Sequence, residues 1–473
     1  MSLEKDLILT IITALVSVLG IFLLNGYVAR LHGLETLGEY LLVRRTSYAI
    51  VGLLLLGMNI GLPRFIARDP KGRFGNSAVV TFAIFTIPAI GLLFFLFRAN
   101  AVPGFIPEHA GPYAIFITGV CCQALTYGLY RGHLNMLGAS ILRLLGSILV
   151  PISVFLVVRE IPVILSSIGL AVFLLSMGSF YLRNDGLISM NVEWHETKRL
   201  WRYGFERIPS FVSQFFLLAG VPLLLAYYIP YSELAYVNSS ISLVRMFLLV
   251  VGPLGVVLLP RISRALAEGR REEVTRGVEL LVTGALFFGT VTAISLSLSG
   301  PAILKLWLGS VSTEGAKTVT VILLALPFYA IVGILRNPID AVSVRGYNSI
   351  IFSVSASLLL ISFFLMKHLG VQPIEAGIYA FLVGYISAGI LSLFTVNRLF
   401  KVQPFKSQMI RDLALGSFGV FTVDFVLGKT VASESLHMIL FFLLIISAGL
   451  VFLWKSSQDW VVMVRQRVFI GML

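Results

Sequence analysis

Apolar stretches of about 18–26 residues recur from one end of this 473-residue sequence to the other. Each is long enough to cross roughly 30 Å of hydrocarbon as a helix. Backbone groups surrounded by lipid must be satisfied within their own segment, so helices are the expected form. The stretches cover about 7–29, 37–62, 76–97, 110–130, 141–158, 161–181, 204–229, 234–260, 276–300, 315–336, 345–368, 372–399, 408–428 and 434–455. Arg159, Glu160 and Pro162 mark a tight turn between the fifth and sixth. The predicted fold class is therefore all-α, a polytopic membrane protein of about fourteen transmembrane helices. Composition agrees: 58% of residues are hydrophobic and 12% charged, against about 25% charged in soluble domains.

Net charge is +13, which in a soluble protein would suggest nucleic acid. Here the basic residues follow the loops instead, so no nucleic-acid partner is expected. With the N-terminus inside, 26 of the 36 Lys and Arg residues fall on cytoplasmic loops and ends, and seven fall outside. The outer seven are Arg30, Arg98, Arg159, Lys305, Lys317, Lys367 and Lys429. Such asymmetry sets orientation and predicts a multi-pass protein of the cytoplasmic membrane with both termini inside. The first apolar segment lacks a small-residue cleavage site and reads as a retained span. The longest loop, about Leu182 to Tyr203, is predicted to be cytoplasmic and solvated, and the tail from Ser456 to be interfacial.

Two landmarks repeat. "LGEY" ending at Tyr40 is echoed by "ELAY" ending at Tyr236, and "LPRFIAR" from Leu62 by "LPRISRAL" from Leu259, offsets of 196 and 197 residues. Six spans separate the copies, so both share one orientation, as in transporters built from parallel repeats. The alternative is a chance likeness of two span ends. The expected organisation is an N-lobe over 1–182 and a cytoplasmic linker over 183–203. A C-lobe over 204–400, two further spans over 401–455 and an interfacial tail over 456–473 complete it.

Catalytic motifs are nearly absent. "GKT" at Gly428–Thr430 lacks the phosphate-loop glycine, since position 423 is Val. The six histidines include no i, i+4 zinc pair. Cys121 and Cys122 are adjacent in an apolar run and read as small buried hydrophobes. No metal site, cofactor or enzymatic activity is expected.

Three arginines remain that no loop accounts for: Arg44, Arg45 and Arg245. An arginine near the bilayer centre costs about 2.5–3.5 kcal/mol on insertion scales, so these are expected to face protein or water. Arg245 lies roughly 16 Å below Leu234 along its helix. Arg44 shares a helical face with Tyr40, Ser47 and Tyr48, while Arg45 lies about 100° round beside Leu41, Leu42, Ala49 and Gly52. On the eighth span Asn238, Ser242 and Arg245 form a stripe. Guanidinium suits phosphate because its fork donates two parallel hydrogen bonds. The predicted anion site is therefore Arg44, Arg45 and Arg245, with Tyr40, Ser47, Tyr48, Asn238 and Ser242 as polar lining, and Arg30 and Glu39 at an outer gate. The plainer alternative is that the arginines snorkel or pair with Glu39, or that Arg245 bonds to helix ends.

The span count, the lobes, "LHGLETLGEYLLV" and "GLPRFIAR" together resemble prokaryotic Wzx-type oligosaccharide flippases of the multidrug/oligosaccharidyl-lipid/polysaccharide exporter superfamily. The resemblance implies two lobes around a cationic central cavity and alternating access. It also implies a lipid-linked oligosaccharide as substrate, membrane lipids and glycan-assembly proteins as partners, and a monomer. Related lipid II flippases use cavity arginines on the first, second and eighth spans; Arg44, Arg45 and Arg245 match the last two, and Arg30 alone is available for the first. One region departs: where many members carry Asp-Arg late in span seven, this chain reads "AGVPLLLAYY" from Ala219. With no nucleotide site, an ion gradient or the membrane potential is the expected drive, and Pro151, Pro222, Pro253 and Pro327 are predicted flex points. A drug or metabolite exporter of the same superfamily and a membrane-embedded glycan polymerase or ligase are the rival readings.

Overall fold

The structure is a computed structural model that describes residues 3–68, 74–183, 194–246, 268–342, 346–401, 407–430, 440–441 and 443. Helices account for nearly all of them. In chain order these are α1 (Leu3–Leu31), α2 (Gly33–Leu54), α3 (Met58–Arg68), α4 (Phe74–Arg98), α5 (Ala110–Gly132) and α6 (Met136–Val157). There follow α7 (Ile161–Arg183), α8 (Trp194–Phe205), α9 (Ile208–Leu225), α10 (231–246) and α11 (Arg271–Leu308). The last are α12 (Thr313–Leu323), α13 (Leu326–Val342), α14 (Tyr347–His368), α15 (Pro373–Phe400) and α16 (Ser407–Thr430).

Among the described residues, nine helices are long and apolar enough to cross a membrane, or eleven if each bent pair counts once. This is a multi-pass membrane protein. The expected count of fourteen is not confirmed among the described residues, where Leu413–Gly428 within α16 is shorter. All of the fourteenth stretch but 440–441 and 443, the end of the eighth with its "LPRISRAL", Pro253 and the tail from Ser456 lie outside the described residues. The turn between the fifth and sixth spans falls at 158–160, as expected.

Two expectations are corrected. The second span is not one continuous helix: α2 and α3 meet at a 53° bend. Leu56 (φ 46°) and Gly57 (φ 71°) adopt left-handed conformations there, which end an α-helix. Hydropathy is blind to such a break because Leu53–Gly57 stays apolar throughout. The long loop after the sixth span is likewise not wholly solvated, since its second part forms α8. Thr197, Leu200 and Gly204 recur at helical spacing on the buried face of α8, and Trp201 Nε1 donates to Thr81 Oγ1 at 3.0 Å.

Three crossing helices contain a wider π-helical turn: Phe82–Thr86 in α4, Leu145–Leu149 in α6 and Phe216–Gly220 in α9. Each ends two residues before a proline, namely Pro88, Pro151 and Pro222. Proline lacks an N–H, and its ring crowds the carbonyl one turn back. Widening that turn keeps the segment helical through the proline.

The chain divides into two compact units, 1–238 with 359–380 and 239–358 with 381–473. In the first, α5 packs tightly on α7 because both offer glycine: a Cβ on Gly119 would stand 3.1 Å from Gly169 Cα. Small residues permit such close approach between membrane helices. The second unit is organised along α11, which packs on α12, α13 and α16. Gly289 of α11 admits Pro327 of α13; a Cβ there would lie 2.9 Å from Pro327 Cα.

Candidate functional site

Arg44 is half-buried on α2, and its guanidinium lies between two rings of its own helix. Cζ is 5.8 Å from the Tyr40 ring centroid and 5.9 Å from that of Tyr48. Tyr40, one turn back, is fully buried and meets Phe155 edge-on at 5.1 Å, which fixes its ring. Tyr48, one turn on, is 42% exposed, and its hydroxyl reaches both Gln123 Oε1 (3.4 Å) and Ser147 Oγ (3.3 Å). Gln123 is itself anchored, donating from Nε2 to the Leu142 carbonyl at 3.1 Å. Gly146, inside the π turn of α6, leaves space for that amide, since a Cβ would stand 2.9 Å from Gln123 Cδ.

Together these side chains line a recess of ≈ 270 Å³, counting space open to solvent. Among the described residues no carboxylate lies within ion-pair distance of Arg44. A guanidinium resting on aromatic faces keeps its N–H edges available, so the arrangement can offer an anion a charged donor backed by hydroxyl and amide groups.

Arg45, the next residue, is buried, and its Nη2 donates to the Asn238 backbone carbonyl on α10 at 2.7 Å. Gly38 lets these two helices touch, because the Tyr231 backbone occupies the place of a Cβ. Ser47 is buried and donates to the Val43 carbonyl of its own helix at 2.6 Å. Asn238 is fully buried, whereas Ser242 is half-buried.

Glu39 does not pair with either arginine. Its Oε1 accepts from Tyr113 Oη at 2.6 Å and bonds His109 Nδ1 at 2.7 Å, a buried cluster joining α2 to the start of α5. The plainer alternative of an ion pair between Glu39 and Arg44 or Arg45 is thereby removed. Arg30 is exposed at the end of α1.

In the second unit Arg245 is half-buried on α10 and hydrogen-bonds the side chain of Tyr329 on α13. The Tyr385 ring from α15 stands 4.9 Å from that of Tyr329 and is backed by Phe381 at 4.7 Å. Sequence reasoning missed Gln123, Ser147, Tyr329 and Tyr385. A lone amide amid the apolar residues of α5 was the one available signal, at Gln123.

Among solved structures, the chain is similar to the lipid II flippase MurJ in an inward closed conformation. That match has a TM-score of 0.69 at 15% identity, over 96% of this chain and 100% of that one. This chain has the MurJ/MATE fold. An inward-facing multidrug resistance MATE family transporter of the MOP superfamily matches at TM-score 0.61 and 15% identity, over 84% of this chain and 99% of that one. The Vibrio cholerae MATE transporter VcmN in its bent form matches at 0.54 and 14%, over 84% and 97%. No family model and no curated protein matches the sequence.

Proposed function

We propose that this protein is a flippase that moves a lipid-linked oligosaccharide, joined to its prenyl carrier through phosphate or pyrophosphate, from the cytoplasmic to the outer leaflet by alternating access. The observation that carries the reading is Arg44: a cation in a membrane helix, half-open, held on two tyrosines and without an acid partner among the described residues. A phosphate supplies the missing countercharge, and the guanidinium fork meets two of its oxygens at once. Arg245, with Tyr329, offers a second donor set in the other unit. The likeness to MurJ supports a lipid cargo. Outward movement of each negative charge gains about 2.3 kcal/mol per 100 mV of inside-negative potential, so the potential alone can drive the cycle.

The test is a reconstituted flipping assay with a fluorescent prenyl-diphosphate-linked glycan. Arg44→Ala is expected to slow transport about tenfold to a hundredfold, the worth of a charge-assisted hydrogen bond. A folded Arg44→Ala protein flipping at the parent rate overturns the phosphate assignment.

A second reading, export of a drug or metabolite, draws support from the MATE neighbours and from the buried acid Glu39. Uptake of a lipophilic cation by the same vesicles, lost in Glu39→Gln and kept in Arg44→Ala, would favour it.

A further inference from the structure

Three arginines from three elements stack on one aromatic cluster at the ends of α3, α4 and α9. Arg64 of α3 and Arg207, which immediately precedes α9, both lie against Tyr203, with Cζ at 5.8 and 4.3 Å from its ring centroid. Arg199 of α8 lies 5.3 Å from the Phe65 ring and 5.9 Å from that of Phe74. The rings are mutually packed, Phe65 stacking on Phe74 at 5.5 Å and meeting Tyr203 edge-on at 5.6 Å.

All three arginines are exposed, and among the described residues no carboxylate lies within ion-pair distance of any of them. The adjacent acid, Glu206, is bonded to Arg202 at 3.1 Å. Such stacking satisfies the faces of a guanidinium and leaves its N–H edges pointing away. Three cations with free edges thus share one patch.

The depth of the patch decides what it meets. Phe74 opens one crossing helix and Arg207 precedes another, so the cluster stands where apolar spans give way to polar chain. Helix α8 beside it is amphipathic. Its buried face is turned to α3 and α4, its other face carries Lys198, Arg199 and Arg202, and Trp194 and Phe205 are 54% and 49% exposed at its two ends. Cations flanked by exposed aromatics are the composition of a helix lying in the bilayer interface. A water-borne anion makes no use of the exposed rings, whereas a phospholipid presents phosphate and acyl chain together.

We infer that Arg64, Arg199 and Arg207 form a binding site for the headgroup phosphates of anionic phospholipids. The site tethers α8 to the membrane surface independently of the transported cargo.

The test uses the full-length protein, with Trp194 and Trp201 as its remaining tryptophans, in nanodiscs of phosphatidylcholine and phosphatidylglycerol. One or the other lipid carries brominated acyl chains, and tryptophan quenching reads which lipid is in contact. Brominated phosphatidylglycerol is expected to quench more strongly. Replacing all three arginines with glutamine should cut that preference by about fivefold for each charge removed, the worth of a basic residue near an anionic surface. R64K/R199K/R207K should retain a preference, because its charges remain. Should the triple glutamine protein fail to fold, Arg207→Gln alone, at an exposed position, should show about one such step. Equal quenching by the two lipids, an unchanged preference in the glutamine variants, or its loss on adding millimolar inorganic phosphate each overturns the inference. The last outcome would mark a site for free phosphate.

Discussion

The surroundings of Arg44 and of Arg245 offer similar chemistry by opposite routes. Arg44 is flanked by tyrosines of its own helix, one turn back and one turn on. Arg245 has Ile241 rather than a tyrosine one turn back, and takes Tyr329 from α13 with Tyr385 of α15 packed beside it. A cation supported by its own helix keeps its setting when neighbouring helices shift. One held by a distant hydroxyl depends on helix packing and can be released by it. In an alternating-access cycle the first suits a constant docking point and the second a point whose grip changes.

That contrast can be broken by substitution. The largest expected effect is at Arg44, where lysine should restore little of the activity lost in Arg44→Ala, since an ammonium lacks the planar fork. Full rescue by lysine, in the flipping assay, would reduce the recess to a point charge. Arg245→Ala should cost less, about tenfold, and should steepen the dependence of rate on membrane potential if the second donor set serves one half of the cycle. Arg45→Ala is expected to act on stability, losing about 1.5–3 kcal/mol with its charge-assisted bond to Asn238. Thermal unfolding in detergent measures that loss; a purely kinetic defect with unchanged stability would move Arg45 to the transport site. The smallest effects should separate the tyrosines. Tyr329→Phe removes the hydroxyl that Arg245 bonds and should slow flipping about threefold to tenfold, as a net hydrogen bond is worth. Tyr48→Phe keeps the ring beside Arg44 and should change the rate less than that. The reverse order would mean that the hydroxyl of Tyr48, not its ring, matters.

Much of the architecture was legible because lipid imposes a simple code of length and hydropathy, and helical spacing placed Tyr40 and Tyr48 beside Arg44. Tyr329 and Tyr385 were hidden because tertiary packing, not spacing, brings them together. The break at Leu56 and Gly57 was hidden for another reason: its cause is backbone conformation in a run whose polarity never changes. Helix α8 escaped because a short amphipathic helix has the mean composition of a loop, and its order emerges only when its charges are sorted by face.

The π turns before Pro88, Pro151 and Pro222 bear on how such sequences are read. Each holds one residue more than an α turn, so the helix beyond it is rotated by about 100° relative to an unbroken count. Residues seven apart across the turn no longer form one stripe. Helical-wheel assignments for this chain must therefore restart at each of the three prolines, and alignments to relatives lacking a proline there should carry a single-residue gap one turn upstream.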